Sequence, residues 1–565
     1  MIKVRSIPSI YRNVKRWAEI LSVLSKYGLA DWLARTNIEF IKNHLKAPDG
    51  EVLAQLTREA RIRLTLTELG PTFIKLGQLL STRPDIVGKE LADELKQLQS
   101  AAPADPPTEV RKIVETELGQ SLDDLFADFD LVPIASASIG QCHKARLKTG
   151  ERVVVKVQHA GIESKVNEDL EVLAGLAQLA EQFPEFKSYR PVASVAEAGR
   201  TLRRELDFGR EERNLHQFST LFRDDPTICI PKAHTELSTP RVLTMDMIDG
   251  IPVAETALLD AAGIDRPEVA RRGANVYMQM IFTHGFFHAD PHPGNIVLLP
   301  GNVIGLLDFG MVGRIDERLR EDIEDMLMAI VQHDVPLLVK IVKRLGQAPP
   351  QLDEAALNND IADFVGHYST QSLEQFEVGG ALTDMTQIIR RFRIMLPPQV
   401  AMLIKTLVTL EGTSKLLEPR FSLMEVMQPF HRTMILRRLS PARQARKLRR
   451  LYMEVEQLVE VLPQRVIQIL EQVQSGKFDV HLDHRGLGPS VNRLVLGMLA
   501  SALFLGSSLM LANKVPPLLF PSNAFLGIHQ LSILGLAGCT ISLMVGLRLI
   551  WAIGKSGHLD QKVSK

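Results

Sequence analysis

Phe287-His288-Ala289-Asp290-Pro291-His292-Pro293-Gly294-Asn295, followed by Leu306-Leu307-Asp308-Phe309-Gly310, decides the fold of this chain. An Asp with four residues between it and an Asn, and then an Asp-Phe-Gly, is the spacing by which protein kinases present a catalytic base and two Mg²⁺ ligands. The chemistry explains the residue types. A triphosphate is polyanionic, and its transfer depends on positioning and charge neutralisation, so hard oxygen ligands must face a metal-bound nucleotide. Asp290 is the candidate base, and Asn295 and Asp308 are the candidate Mg²⁺ ligands.

Upstream lies the matching small-lobe pattern. Leu131 to Ile134, the small-residue run Ala135-Ser136-Ala137-Ser138-Ile139-Gly140, Gln141 to Leu147, a Lys-Thr-Gly turn and Arg152 to Gln158 read as a hairpin plus a third strand. Within Val153-Val154-Val155-Lys156-Val157, Lys156 has the setting of the lysine that grips the α- and β-phosphates and pairs with a helix glutamate. Where kinases carry Gly-x-Gly-x-x-Gly, this loop carries alanines and serines. They restrict the turn and are expected to set methyl and hydroxyl groups against the nucleotide, with Ala135 through Gln141 as the cradle. The charged helical stretch Arg204 to Asn214 supplies Glu211 as the expected partner of Lys156; a solvated helix surface is the plain alternative. Val242 to Met247 reads as a strand entering a hinge, with backbone near Met247 meeting adenine.

At 565 residues and 45% apolar, the chain has room for units beyond a kinase-sized domain. Net charge is zero, and no nucleic-acid partner is expected. Cys142, Cys229 and Cys539 form no paired spacing, so neither a disulfide framework nor a zinc site is indicated. His288, Asp290 and His292 could chelate a transition metal, but that reading leaves Asn295, Asp308 and Lys156 without a role; His288 is expected to orient the loop instead.

Leu494 to Ala512 and roughly Phe525 to Ile553 are each long and apolar enough to cross a bilayer as helix, and they read as a hairpin. Lys514 is the one cation between them, whereas Arg485, Arg493, Arg548, Lys555, Lys562 and Lys565 flank the pair. Both ends, and so the kinase-like part, are expected on the cytoplasmic side of a membrane, a bacterial inner membrane first. Buried core helices are the alternative. Gly538, Ser542 and Gly546 would form the close-packing face. The arginine-rich run at 432–450 is either a solvated face or a contact for anionic lipid. Near the start, Ile10, Val14, Trp17, Leu21 and Leu24 make one apolar stripe, expected to dock on a core or lie at a lipid interface in preference to serving as a transit segment.

With these residues in view, the chain resembles the UbiB family of atypical kinase-like proteins, which support isoprenoid quinone synthesis. Beyond the Ala-rich loop and His-x-Asp-x-His-Pro-Gly-Asn, it carries the family's hallmark run from Pro71 to Asp85, including Lys75-Leu76-Gly77-Gln78. The resemblance implies an N-terminal helical extension folded over the cleft, with Lys75 and Gln78 gating it through the Glu-x-Asp pair Glu205 and Asp207. It also assigns the family's phosphate lysine, helix glutamate, catalytic aspartate and metal ligands to Lys156, Glu211, Asp290, Asn295 and Asp308.

The expected architecture is α+β, an atypical protein-kinase-like bilobal fold with an N-terminal helical extension and a C-terminal two-helix transmembrane hairpin. Its boundaries are expected at residues 1–119 for the extension, 120–345 for the kinase-like domain, 346–485 for a helical continuation and 490–555 for the spans. After Asp308-Phe309-Gly310 the chain enters a helical pattern at Glu317 without Ala-Pro-Glu, so the platform for peptide substrates is missing. The expected cofactors are ATP, or another nucleotide, and Mg²⁺. Expected partners are membrane lipids, prenylated quinone precursors and quinone-biosynthesis enzymes. An ATPase or small-molecule kinase fits these features; a protein kinase and a non-catalytic nucleotide-binding scaffold are the rivals.

Overall fold

The computed structural model describes residues 13–30, 33, 56–98, 103–187, 190–349, 351–369, 371, 376–427, 430, scattered positions between 445 and 467, 487–519 and 531–555. The chain divides into two compact units, Met1–Gln444 and Ala445–Lys565.

In the first unit, the small lobe is an antiparallel sheet ordered Phe126–Phe129, Gly140–Leu147, Arg152–Gln158, Val242–Asp246, with Ala135–Ser136 paired to the second strand. Strand alternation explains its two faces. Val153, Val155 and Val157 turn to a core shared with Val110, Ile113 and Val114 of the helix Pro107–Leu118. Val154 and Lys156 take the other face, toward the cleft. Burying one such valine contributes about 1.5–3 kcal/mol, enough to fix the register by which side each residue faces.

Two helices, Ile162–Ala180 and Pro191–Leu206, follow the Lys156 strand, and the N-terminal extension packs on the first of them. Trp17, Ile20 and Leu21 of the helix Val14–Lys26 are completely buried, with Leu69, Phe73, Val172, Leu176 and Leu179 in the same cluster. The apolar stripe therefore docks on a core; Ile10 lies outside the described residues. Arg16 pairs with the buried Asp169 and donates to the Leu69 carbonyl at 2.7 Å. Gly70, at φ +97°, turns the chain between the helices Arg58–Leu69 and Pro71–Ser81, with Pro71 at the first helical position. Further on, Arg83 pairs with Asp85 at 2.8 Å and donates to the Leu396 carbonyl at 3.0 Å. The extension thus touches both lobes.

The large lobe combines a short sheet, Ile228–Cys229, Val303–Leu306, Ile296–Leu299, Ile251–Pro252, with a strand pair, Phe286–His288 against Val312–Arg314. Its helices include Arg266–Met278, Val335–Leu345, Glu354–Ser369, Val378–Arg391 and Pro398–Leu417. From Gly310 the chain passes directly through Val312–Arg314 into the helix Glu317–Val331. No peptide-docking segment intervenes.

The second unit holds the helices Leu487–Ala512 and Ile533–Lys555, within which 493–512 and 533–551 are long and apolar enough to cross a membrane. They pack through Gly535 and Gly538, where an added Cβ would lie 2.8 Å from the Ser507 carbonyl and against the Ser507 hydroxyl respectively. The expected small-residue face is only partly right: Ser542 is buried, but Gly546 opens on empty space and Gly535 takes the contact. Residues 525–530 of the expected second span, and nearly all of the basic run at 432–450, lie outside the described residues.

Candidate nucleotide site

Lys156 organises the small-lobe side. Its Nζ is 2.8 Å from Glu211 Oε2 and 3.8 Å from Asp308 Oδ2, and it lies 5.1 Å from the centre of the Phe208 ring. Phe208 and Glu211 share one helix, Phe208–Leu221, so a single element supplies both the counter-charge and the aromatic floor. Glu211 Oε1 also accepts from the Phe309 amide at 3.3 Å, and the Asn214 side chain donates to the Phe309 carbonyl at 2.9 Å. The helix is thereby tied to Asp-Phe-Gly. Burial would lower the Lys156 pKa, but the carboxylates of Asp308 and Glu211 outweigh it and raise it. The same ammonium pulls Asp308 down to about 2 against the effect of burial, with help from the Gly310 amide and Lys75. Asp308 stays an anion at any physiological pH.

On the floor, the buried His288 joins the two acidic segments. Its Nε2 donates to the Asp308 carbonyl, while Nδ1 accepts from the Tyr277 hydroxyl at 3.2 Å and the Asp290 amide at 3.3 Å. That pattern requires the neutral ring, and burial lowers its pKa accordingly. Both ring nitrogens are engaged by protein, which opposes the metal-chelating alternative. Asn295 donates through Nδ2 to the Asp290 carbonyl and to Asp290 Oδ2, each at 3.2 Å. Its amide oxygen is thus the atom left for a cation. Asp290 Oδ1 takes an ion pair from Lys405 at 2.9 Å.

The small-residue loop is held from behind. His159 bridges the Ala137 carbonyl, at 2.8 Å, and Asp105 Oδ2, at 3.0 Å, while the Ala137 amide donates to the Gly140 carbonyl at 2.9 Å. Gly140 has to be bare, since a Cβ would lie 2.5 Å from the Val157 carbonyl and 3.2 Å from Phe208. The expected cradle is corrected in part. Ala135 and Ala137 are exposed and Ser136 and Ile139 half-buried, but the Ser138 and Gln141 side chains are buried. Gln141 accepts from the Asp105 amide at 2.8 Å and meets His143 Nε2 at 3.1 Å, which leaves a ligand only its backbone. At the hinge, the Met247 amide donates to the Arg152 carbonyl at 3.0 Å, so the amide itself is already bonded.

Of the gating group, Lys75 joins Glu205 at 2.7 Å. Burial would lower the Lys75 pKa, but Glu205 and then Asp308 outweigh it and raise it, which places this ammonium in the field of the site. Gln78 and Asp207 depart from the expectation. Gln78 donates to the Leu98 carbonyl at 3.1 Å, whereas Asp207 caps its own helix through the Gly209 amide at 3.0 Å and meets Arg213 at 3.4 Å. An Asp just before a helix start satisfies an otherwise orphan amide, and that local demand wins here.

Sequence reading missed the element under the His288–Asn295 loop. From the helix Pro398–Leu417, Thr406 donates to the Ala289 carbonyl at 3.1 Å, Lys405 pairs with Asp290, and Thr413 donates to the Pro291 carbonyl at 2.8 Å. Nothing in Ile404-Lys405-Thr406-Leu407 marks it out from any half-buried helix.

Comparison with known proteins gives this constellation a lineage. Residues 97–342 match the ABC1 atypical kinase-like domain, residues 361–422 the UbiB helical domain, and residues 481–555 the ABC1/UbiB kinase-like C-terminal domain. A "Probable protein kinase UbiB" of Marinobacter nauticus is 35% identical over 75% of this chain and 78% of its own length. A protein of the same name from Xylella fastidiosa is 33% identical over 91% and 95%. A Clostridium pasteurianum protein described only as uncharacterized, in the 5′ region of hydrogenase 1, is 29% identical over 97% and 100%. With two such relatives above 30% identity and the three domains in order, the chain belongs to the UbiB family of atypical kinase-like proteins.

Proposed function

We propose that this protein is a membrane-anchored enzyme that binds Mg²⁺ and ATP and hydrolyses it, or transfers its terminal phosphoryl group to a small molecule, in support of ubiquinone or a related isoprenoid quinone. The observation that carries the reading is the pairing of Lys156 with Glu211, 3.8 Å from Asp308, opposite an Asp290 oriented by Asn295. Each group has one job in phosphoryl transfer. Lys156 holds the inner phosphates, Asp290 orients the attacking oxygen, and the ionised Asp308 with the Asn295 amide oxygen forms a hard-oxygen pair suited to Mg²⁺. Bound there, the cation would neutralise charge on the phosphates during transfer. The name of these relatives, probable protein kinase, supports phosphoryl chemistry in general.

Two features favour a non-peptide acceptor. The path from Gly310 to the helix at Glu317 offers no segment for docking a polypeptide, and the extension carries Lys75 into the region of Asp308. The apolar helices at 493–512 and 533–551 support an anchor in a bacterial inner membrane with the kinase-like unit on the cytoplasmic side, where prenylated quinone precursors in the bilayer are within reach. Quinone-biosynthesis enzymes are the partners such a protein would serve.

The test is Mg²⁺-dependent phosphate release from ATP by the full-length protein, with and without anionic liposomes containing a prenylated phenol. Asp290→Asn and Asp308→Asn serve as controls. Turnover that rises with lipid and disappears in both variants supports the reading; turnover that survives in either variant rejects this site as its source. Transfer of phosphate to added polypeptides would move the assignment to a protein kinase, and ATP binding without turnover to a scaffold.

A further inference from the structure

We infer that Lys405 reads the terminal phosphoryl group of the nucleotide: its ammonium sits on Asp290 and is shared with the γ-phosphate when ATP binds. The inference rests on the Mg²⁺-ATP reading of the site and adds to it a residue from outside the kinase-like domain match.

The catalytic loop is short of positive charge where phosphoryl transfer needs it. Between His288 and Asn295 there is no lysine or arginine. Lys156 serves the inner phosphates from the small lobe, and Asp308 and Asn295 are metal ligands, so the acceptor side of the γ-phosphate lacks a protein cation from the loop itself. Lys405 meets that need from the helix Pro398–Leu417, with Nζ 2.9 Å from Asp290 Oδ1. The other carboxylate oxygen belongs to Asn295. A catalytic carboxylate lies within about 3 Å of the attacking atom, and that atom within about 3.5 Å of the phosphorus. An ammonium resting on the carboxylate is therefore about one side-chain swing from the γ-phosphoryl oxygens.

A purely structural role explains less. Thr406 and Thr413 on the same helix already hold the Ala289 and Pro291 carbonyls, so the loop is braced on either side of Asp290 without a charge. The Lys405 and Asp290 side chains are 24% and 30% exposed, so the pair is not sealed into a core. Their exposure is what a ligand-contacting pair requires. Lysine also suits the task, because its flexible stem lets one ammonium move between two anions.

The experiment compares Mg²⁺-ATP and Mg²⁺-ADP affinity of the full-length protein with those of Lys405→Met and Lys405→Arg, beside phosphate release. Lys405→Met keeps length and packing, and is expected to weaken ATP by at least about tenfold, the loss of one charge-assisted bond, while leaving ADP nearly unchanged. Lys405→Arg is expected to recover most of the difference. Turnover of Lys405→Met should fall through kcat more than KM. An unaltered ATP-to-ADP affinity ratio in Lys405→Met overturns the inference, as does equal weakening of both nucleotides, which marks a loop brace. If the wild type binds both nucleotides without turnover, the hydrolysis reading fails alone and the ratio still decides Lys405. If it binds neither, both fall.

Discussion

The floor of the cleft and the strap over it are built on different plans. On the floor, each acidic group is held at least twice: Asp290 by Asn295 and Lys405, Asp308 by the Gly310 amide and by His288 through its carbonyl. The strap from Arg58 to Leu98 meets the site through Lys75 on Glu205, whose second oxygen is buried without a hydrogen-bond partner. Its remaining hold includes apolar packing around Trp17 and Phe73, the Arg16 bond to the Leu69 carbonyl, the Arg83 contact at Leu396 and the Arg390 contact at the Val87 carbonyl. Over-determined groups keep their geometry while a substrate changes around them. An element held by a few separable contacts can instead release at modest cost. The contrast fits the proposal that the floor carries the chemistry and the strap controls access.

The largest expected effect tests the floor. Asp308→Asn and Asp290→Asn should each reduce phosphate release by about 10²–10³-fold or more, the scale on which single charge-stabilising groups act, with circular dichroism and thermal midpoint little changed. If either variant instead unfolds, that carboxylate is a structural keystone and the contrast is wrong. Next comes the strap's anchor. Trp17 is fully buried, and Trp17→Ala should cost about 3–5 kcal/mol locally. Hydrogen exchange should then accelerate at 58–81 while amides at 288–310 keep their protection. Uniform acceleration would show one cooperative unit where two are described.

A smaller effect is expected from the latch. Lys75→Met removes a cation from the field of Asp308 and leaves Glu205 buried and unpaired, so nucleotide affinity should shift several-fold with a drop in stability. Adding Glu205→Gln should restore the stability without restoring the affinity of the wild type. Should the double variant restore both, Lys75 serves only to neutralise Glu205.

Legibility in the sequence follows the same division. Asp290, Asn295 and Asp308 lie within nineteen positions, so short-range spacing was enough to expect them side by side on the floor. Glu211 was reachable because a buried lysine on a strand demands a carboxylate and one charged helix was at hand. Lys405 and Asp290 are 115 positions apart and meet only through tertiary packing, with no local pattern to announce them. Gln78 and Asp207 show the opposite error. A family pairing suggested a contact, but helix capping claimed Asp207 and the Leu98 carbonyl claimed the Gln78 amide. Within the loop, Gln141 and Ser138 looked like ligand contacts because a linear reading cannot tell which way a turn faces; the demand of Asp105 for partners turned Gln141 inward.

The smallest effect concerns protons on the floor. Buried His288 has its pKa lowered from the ordinary 6.5, so the unfolded chain takes up a proton at this ring more readily than the folded one. The stability it contributes is fully present above about pH 6.5 and is lost as pH falls below that value, toward the folded pKa. His288→Gln keeps a side-chain donor for the Asp308 carbonyl but does not titrate. Between pH 7.5 and 5.5 the thermal midpoint of the wild type should therefore fall further than that of the variant. His143, whose pKa burial also lowers, contributes equally to both proteins and cancels in the difference. Equal falls would mean that the folded protein accepts a proton at His288. Its Nδ1 would then have to become a donor, although it faces the Asp290 amide and the Tyr277 hydroxyl, and the twofold hold on the floor would have to be redrawn around a charged ring.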